Sequence, residues 1–283
     1  MIAGASWGWW IGFHAAVLAF LIADSLFADR LRSRQRAVWI VPALLVVAAL
    51  ALALWIGLTR GRTSGLEFLT GYTVELSLSI DNLFVFMILL EGFAISPVRQ
   101  ARALRWGVAG AMVLRGIFVA AGVALLVRFS WVSWCFGAFL LYAAGRLARG
   151  SSPMSVIPGW IRNLQPARGS LLPVILAIEF TDLVFATDSV PAVLSITHNP
   201  FLAYTSNIVA ILGLRSLYFA VASLLGRLRF LHYALAFLLG FVGLKMLASP
   251  WFEIPVTASL AVIGAILAVF AVASALLPAQ KER

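Results

Sequence analysis

Residues 75–84 read Glu-Leu-Ser-Leu-Ser-Ile-Asp-Asn-Leu-Phe, a stretch with two acids among apolar and small polar residues. Residues 182–191 repeat its pattern as Asp-Leu-Val-Phe-Ala-Thr-Asp-Ser-Val-Pro. Each stretch places an acid, five further residues, an aspartate and a small polar side chain inside a long apolar run. An ionised carboxylate within a bilayer costs about 2.5–3.5 kcal/mol on insertion-based scales, so such residues usually mark an ion or proton pathway. The two motifs therefore predict an ion site inside a membrane.

The composition of the chain also indicates a membrane protein. Of its 283 residues, 63% are hydrophobic and only 11% are charged, which is too little charge to cover a water-exposed surface. The formal net charge of +10 would suggest nucleic-acid binding in a soluble protein. In a membrane protein the arginines instead orient the helices and contact anionic lipid. We therefore expect membrane lipids, and no nucleic acid, as partners.

Cysteine content and the N-terminal charge pattern narrow the class further. Cys135 is the only cysteine, which excludes an intramolecular disulfide and a thiolate metal cluster. The first charged residue is Asp24, so the basic segment that opens a cleavable signal peptide is missing. We interpret the N-terminal apolar run as a retained transmembrane helix.

Apolar runs of roughly 20 residues, separated by Arg, Pro or Gly, predict transmembrane helices. The expected fold is an all-α polytopic membrane protein with nine spans, at approximately 7–27, 37–58, 67–92, 105–127, 131–147, 171–197, 202–226, 230–249 and 255–277.

The basic residues predict how these spans are oriented. Of the 21 Lys and Arg residues, 15 fall in connections on one side of the membrane or in the C-terminal tail. Three fall on the other side and three lie inside spans. Because cytoplasmic loops carry an excess of Lys and Arg, the N-terminus is predicted outside and the C-terminus in the cytoplasm.

Two sequence matches beyond the acidic motifs indicate an internal repeat. Leu-Arg-Gly-Ile-Phe at 114–118 corresponds to Leu-Arg-Ser-Leu-Tyr at 214–218, and Ala-Phe-Leu-Leu at 138–141 recurs at 236–239. Each repeat would contain three spans, and because three is odd the second copy enters the membrane inverted, as in many secondary transporters.

We therefore predict one integral membrane domain covering 1–283. It would comprise two N-terminal helices (1–66), a first repeat (67–147), a cytoplasmic connection (148–170), a second repeat (171–249) and a C-terminal helix with a short tail (250–283).

The predicted inversion orders the acids by depth. Glu75 would lie on the outer side, Asp81 and Asp188 near the midplane, and Asp182 on the cytoplasmic side. At 1.5 Å rise per residue, each step of six residues spans about 9 Å. The sequence thus predicts a ladder of carboxylates across the membrane.

The spacing of the motif also suggests interrupted helices. Positions seven apart share a helix face, whereas positions six apart do not, so one straight helix cannot direct both motif acids at one ion. Pro191 lacks the amide that would bond the carbonyl of Thr187, which makes that carbonyl a candidate oxygen ligand.

The polar residues of the two motifs supply hard oxygen ligands, which suit Mn²⁺, Mg²⁺ or Ca²⁺ rather than copper or a structural zinc. The candidate metal ligands are Glu75, Asp81, Asn82, Asp182, Asp188 and Ser189. Additional path residues would be Asp24, Glu179 and Thr187.

Three basic residues inside predicted spans leave a second interpretation open. Arg115, Arg215 and Lys245 are expected counter-ions, and the acids could serve only to pair with them and hold the helices together. The acids counted as buried in the spans exceed these three bases by two charges if all are ionised, which would suit a divalent cation; the five are Glu75, Asp81, Glu179, Asp182 and Asp188. No nucleotide-binding loop occurs, so we expect transport driven by an ion gradient and no enzymatic activity.

Three stretches resemble the TerC/Alx family, which was named for tellurium resistance and belongs to the LysE-like transporter superfamily. They are Glu-Leu-Ser-Leu-Ser-Ile-Asp-Asn-Leu-Phe-Val-Phe at 75–86, Thr-Asp-Leu-Val-Phe-Ala-Thr-Asp-Ser-Val-Pro-Ala at 181–192, and Tyr-Thr-Ser-Asn-Ile-Val-Ala-Ile-Leu-Gly-Leu-Arg-Ser-Leu-Tyr-Phe at 204–219. The similarity extends from roughly residue 10 to residue 275.

The resemblance implies a multi-pass protein of the bacterial cytoplasmic membrane that exports Mn²⁺. Mn²⁺ would be the transported ion, with no permanently bound cofactor. Some relatives are linked to the metallation of secreted enzymes or to membrane-protein assembly. Other membrane proteins are therefore expected as alternative partners, and an assembly scaffold without transport is the alternative function.

Overall fold

A computed structural model describes residues 5–32, 39–121, 130–151, 170–226, 230–249, 251–252 and 254–276. Throughout these ranges the regular structure is helical and no β-strand occurs. The predicted all-α class is confirmed. The connection at 152–169 and the tail from 277 onward lie outside the described residues.

The α-helices of this part of the chain coincide with the predicted apolar runs. In chain order they are α1 (Trp7–Arg32), α2 (Ile40–Arg60), α3 (Arg62–Gly92), α4 (Pro97–Ala121), α5 (Ser130–Ala148), α6 (Leu172–Ile196), α7 (Pro200–Leu225), α8 (Leu231–Ala248) and α9 (Val256–Leu276). An apolar run in lipid becomes helical because a helix satisfies every backbone N–H and C=O within its own segment.

Six of these helices are long and apolar enough to cross a membrane, namely α2, α3, α5, α7, α8 and α9. In α1 the apolar part, Trp7–Ala23, is shorter. α4 carries four arginines, and α6 carries three acids within ten residues. The structure therefore establishes a multi-span helical protein, and the predicted count of nine spans remains a prediction.

The described residues form two compact units. Unit 1 comprises those within Met1–Ser79, Val108–Val127 and Ala186–Ala220, and unit 2 those within Ile80–Gly107, Arg128–Phe185 and Val221–Arg283. Four helices are divided between the units. α3 enters unit 2 after Ser79, whereas α6 enters unit 1 after Phe185. In the α3 motif the first acid therefore lies in unit 1 and the second in unit 2. In the α6 motif the first acid lies in unit 2 and the second in unit 1.

Unit 1 packs α2, α3 and α7 closely through small residues and aromatic rings. At Gly65 a Cβ would stand 2.7 Å from the carbonyl oxygen of Ala53, so α2 and α3 can approach this closely only with glycine there. Phe68 and Phe201 are completely or almost completely buried in the same core. This packing places the α3 motif acid, Glu75, beside α7.

Unit 2 is built on the pair α5 and α8. A Cβ at Gly137 would lie 3.0 Å from the carbonyl oxygen of Gly243, and one at Gly243 would lie 2.9 Å from that of Gly137. Phe136 of α5 contacts Phe185 of α6 edge-to-face with ring centroids 5.7 Å apart. α5 thus connects α8 to the half of α6 that carries Asp182.

Helix α6 corrects the expectation of an interrupted helix. It continues from Leu172 to Ile196 with Pro191 inside it, and α3 is likewise continuous through its motif. A proline removes one hydrogen bond from the preceding turn, but neighbouring helices let a transmembrane helix continue past that loss. The motif residues of both helices therefore lie in continuous helix, and the role expected for the Thr187 carbonyl stays a prediction.

Candidate functional site

The first motif acid, Glu75, lies in unit 1 and is completely buried. Its Oε1 accepts a hydrogen bond from Nη1 of Arg115 in a buried ion pair, and Arg115 is 1% exposed. α3 supplies the acid and α4 supplies the base. A charge buried this deeply is stable only when it is both paired and hydrogen-bonded, and this pair satisfies both conditions.

Two further side chains complete this ion pair. Asn207 of α7 donates from Nδ2 to Oε2 of Glu75 at 3.1 Å, and its Oδ1 accepts from Arg115 at 3.0 Å. Ser189 of α6 accepts from the same guanidinium nitrogen at 2.9 Å. Both carboxylate oxygens of Glu75 are therefore engaged. We name Glu75, Arg115, Ser189 and Asn207 the arginine network.

The second motif acid, Asp81, lies in unit 2 and has a different partner. Its Oδ2 accepts from Nζ of Lys245 on α8 at 2.6 Å. The same ammonium donates to Oγ of Ser259 on α9 at 3.1 Å. Asp81 is 4% exposed, whereas the side chain of Lys245 is 18% exposed. We name Asp81, Lys245 and Ser259 the lysine site.

Unit 2 also contains buried oxygen atoms that lack a hydrogen-bond partner among the described residues. They are Oδ1 of Asp81, Oδ1 of the adjacent Asn82, and both carboxylate oxygens of Glu179. Buried polar atoms are normally paired, so each such atom requires an explanation, and a bound ion is one such explanation. Three acceptor side chains with free lone pairs can coordinate a hard cation chemically.

The remaining predicted site residues are distributed between the two units. Asp182 is buried in unit 2, on the same helix as Glu179 and three residues away, which places the two acids on one helix face. Arg215 is buried in unit 1, and Thr187 is partly buried there. Helices α6 and α1 include Asp188 and Asp24 respectively, and the side chains of both lie outside the described ones.

The described residues contain no group of three or more His, Cys, Asp or Glu side chains close enough to share a metal ion. The six predicted metal ligands are thus not assembled as one cluster in this part of the chain. Glu75 and Ser189 share the arginine network instead, and Asp81 pairs with Lys245.

The charges of the intramembrane residues divide unequally between the units. Unit 1 receives two of the five acids together with both arginines, so its formal charges balance when the acids are ionised. Unit 2 receives the other three of these acids, Asp81, Glu179 and Asp182, and the remaining one of the three bases, Lys245. The two excess negative charges noted in the sequence therefore all belong to unit 2.

Three polar partners were not predicted from the sequence. Asn207 stands within the motif at 204–219, and its amide inside an apolar run was the available signal. Ser259 offered no comparable signal. Thr197, just before α7, donates to Oε2 of Glu67 at 2.6 Å and thereby adds a third partnered acid, at the start of α3.

Comparison with known proteins shows the family of the chain. The model of the integral membrane protein TerC family matches residues 60–282. A protein of Salmonella typhi named "Putative membrane-bound redox modulator Alx" is 34% identical, over 97% of this chain and 96% of its own.

Two further relatives have a similar identity. "Uncharacterized membrane protein STKORF319" of Myxococcus xanthus is 36% identical, over 94% of this chain and 92% of its own. "Thylakoid membrane protein TERC, chloroplastic" of Arabidopsis thaliana is 36% identical, over 78% of this chain and 64% of its own. No solved structure matches the chain. On the extent of the family match and of these similarities, the chain belongs to the TerC family of integral membrane proteins.

Proposed function

We propose that this protein is a secondary transporter that exports a divalent metal cation, Mn²⁺, from the cytoplasm across the bacterial cytoplasmic membrane. We propose Mn²⁺ because the motifs supply hard oxygen ligands and because the family resemblance implies this ion. In this proposal the protein has no enzymatic activity, Mn²⁺ is its substrate, and membrane lipids surround it.

One observation carries the proposal: unit 2 contains buried acceptor oxygens that no described group satisfies. Asp81, Asn82 and Glu179 together present four such oxygen atoms. An unpaired buried acceptor costs about 1–3 kcal/mol, and more when it is charged. A purely structural arrangement would gain by pairing or replacing these groups, whereas a transport site must keep them available for its ion.

The charge balance supports the same proposal independently. Among the five acids and three bases predicted to be buried, unit 2 has two more acids than bases, which equals the charge of one divalent cation when the acids are ionised. The other predicted ligands, Asp182, Asp188 and Ser189, stay in the proposal as residues along the ion path. The inverted repeat also stays in the proposal. It would explain why α3 passes from unit 1 to unit 2 whereas α6 passes from unit 2 to unit 1.

Transport can be tested on the purified protein. Proteoliposomes loaded with a Mn²⁺-sensitive dye should show Mn²⁺ uptake that depends on the protein, measured with and without an imposed pH gradient. Liposomes with the Asp81→Asn variant at equal protein content are the matched control, because the shape of the side chain is kept and its charge is removed. Equal uptake by empty, variant and wild-type liposomes would exclude Mn²⁺ transport.

The proposed nine-span orientation has its own test. In a Cys135→Ala background, a cysteine at position 75 should react with an impermeant thiol reagent added from outside, and one at position 182 only from the cytoplasm. Because both positions are buried, reaction should be slow, and Mn²⁺ should slow it further at position 182, which stays on the proposed ion path. The change at position 75 removes the charged partner of Arg115, so labelling there is measured on protein first shown to be folded by its thermal unfolding. Labelling of position 182 from outside would contradict the predicted topology.

An assembly scaffold without transport is the second candidate function. The observation in its favour is that the arginine network closes on itself and that no described group of three metal-binding side chains exists. A scaffold predicts that the Asp81→Asn variant supports the maturation of its partner proteins as well as the wild type does. A transporter predicts that this variant fails in cells challenged with Mn²⁺.

A further inference from the structure

We propose that Lys245 is a tethered cation that occupies the Asp81 site when no metal is bound and is displaced by the incoming divalent cation. This inference rests on the proposed function and adds to it a residue with a defined role in cation exchange. The lysine site alone carries the argument, and all of its members belong to unit 2.

The geometry of the lysine site resembles a half-filled cation site. The ammonium of Lys245 engages one oxygen of Asp81, at 2.6 Å, and leaves the other oxygen without a described hydrogen-bond partner. The neighbouring Asn82 also keeps a free buried oxygen. A buried ion pair formed for stability would use both carboxylate oxygens, as the pair of Glu75 and Arg115 does with the help of Asn207.

The chemistry of lysine makes displacement possible. An ammonium is a compact point charge on a flexible four-carbon chain, whereas a guanidinium is planar and binds carboxylates through a rigid set of donors. The side chain of Lys245 retains 18% exposure, so it is the less enclosed partner of the pair. Ser259 already accepts from Nζ at 3.1 Å and can keep the ammonium on α9 after Asp81 is lost as a partner.

The charges also balance across the exchange. Before binding, unit 2 holds three of the five acids predicted to be buried and one of the three bases, Lys245, so the formal charge of this set is −2. A divalent cation that takes the place of the ammonium on Asp81 brings the formal total to zero while the ammonium stays on the protein. When the cation leaves, Lys245 returns to Asp81, so the empty site never exposes a bare carboxylate.

Competition between the ammonium and the metal gives a measurable prediction. Replacing Lys245 by glutamine removes the competing charge, so the Lys245→Gln variant should bind Mn²⁺ at least about tenfold more tightly than the wild type. The binding is measured on detergent-purified protein by calorimetry and by the rise in melting temperature with added Mn²⁺. Without Mn²⁺ the variant should be less stable than the wild type, because Asp81 is left unpaired.

Further variants separate a role in exchange from a structural role. Ser259→Ala should weaken Mn²⁺ binding several-fold, because the displaced ammonium loses its second partner. Lys281→Ala, which changes a lysine near the C-terminus, should alter neither the Mn²⁺ affinity nor the stability. The doubly neutral Asp81→Asn/Lys245→Gln variant removes the unpaired charge, so it should recover stability without gaining affinity for Mn²⁺.

The outcomes separate a failure of the tethered-cation inference from a failure of the proposed function. If wild-type protein neither binds nor transports Mn²⁺, the proposed function fails. If the wild type binds Mn²⁺ but Lys245→Gln binds it no more tightly, the tethered cation is excluded and Lys245 is structural. If Lys245→Gln cannot be purified, the Ser259→Ala variant serves as the test. Unchanged Mn²⁺ affinity in that variant would also exclude the tethered cation.

Discussion

The two units treat their intramembrane acids in opposite ways. In unit 1, Glu75 uses both oxygens, and the bonds reach Arg115 and Asn207 in a closed network. In unit 2, Asp81 uses one oxygen on Lys245, and its other oxygen has no described hydrogen-bond partner. The two acids are six residues apart on one helix. Similar side chains in one motif can therefore serve for structure in one unit and be available for an ion in the other.

The largest effect should follow from neutralising the acid in unit 2. Asp81→Asn should reduce Mn²⁺ flux into proteoliposomes by at least about 100-fold, since even partners of metal ligands cost about 10–100-fold in metal affinity when they are lost. Protein yield should stay close to normal, because the partly exposed Lys245 keeps Ser259 as a partner. Normal Mn²⁺ flux in this variant would show that Asp81 is not required for transport, so the two units would not differ in function.

The matching change in unit 1 should act on stability. Glu75→Gln leaves the buried Arg115 without its charged partner and should lower the free energy of unfolding by about 3–5 kcal/mol. The double variant Glu75→Gln/Arg115→Gln should recover a large part of this loss. Yield and thermal unfolding in detergent would measure both. If Glu75→Gln is as stable as wild type, the arginine network is not structural.

A smaller loss of stability should follow from removing Asn207. Asn207→Ala leaves Oε2 of Glu75 without its described donor and removes an acceptor of Arg115, which should cost about 1–3 kcal/mol. Ser206→Ala is the control, because the Ser206 hydroxyl donates only to the carbonyl of Ala203 in its own helix. Thermal unfolding of the two variants side by side shows whether the network closes through α7, and equal losses would argue that it does not.

The smallest effect should appear at the third partnered acid, Glu67. Thr197→Val removes the donor to a carboxylate that is only partly buried, so water can replace it and the loss should be about 0.5–1.5 kcal/mol. Thr197→Ser, which keeps the hydroxyl, should stay closer to the wild type in the same unfolding measurement. A larger loss than that of Asn207→Ala would mean that burial does not set the importance of these acids.

Much of the fold could be predicted from the sequence. The apolar run predicted at 202–226 forms α7 (Pro200–Leu225), and the run at 255–277 forms α9 (Val256–Leu276). Such limits are predictable because each helix in lipid satisfies its own backbone, which makes the signal local. The interruption expected near Pro191 was wrong, because packing of neighbouring helices can support a helix through a proline.

The candidate site was predictable in its residue types but not in its pairing. The acids and their intramembrane bases were identifiable because charge inside an apolar run is rare and costly. Their partners were not identifiable, because Lys245 is 164 residues from Asp81 and Asn207 is 132 residues from Glu75 along the chain. A local sequence pattern does not predict which helices will contact each other when they are this far apart along the chain.

From its residues alone, this chain is recognisable as a helical membrane protein of the TerC family with two acidic motifs in its apolar runs. Helix packing is what joins Glu75 to Arg115 in a closed network and pairs Asp81 with Lys245 through one oxygen, while the other oxygen has no described hydrogen-bond partner. The physical reason is that helix formation in lipid depends on contiguous apolar length. The state of a buried charge depends instead on the few side chains that helix packing brings within hydrogen-bond distance of it.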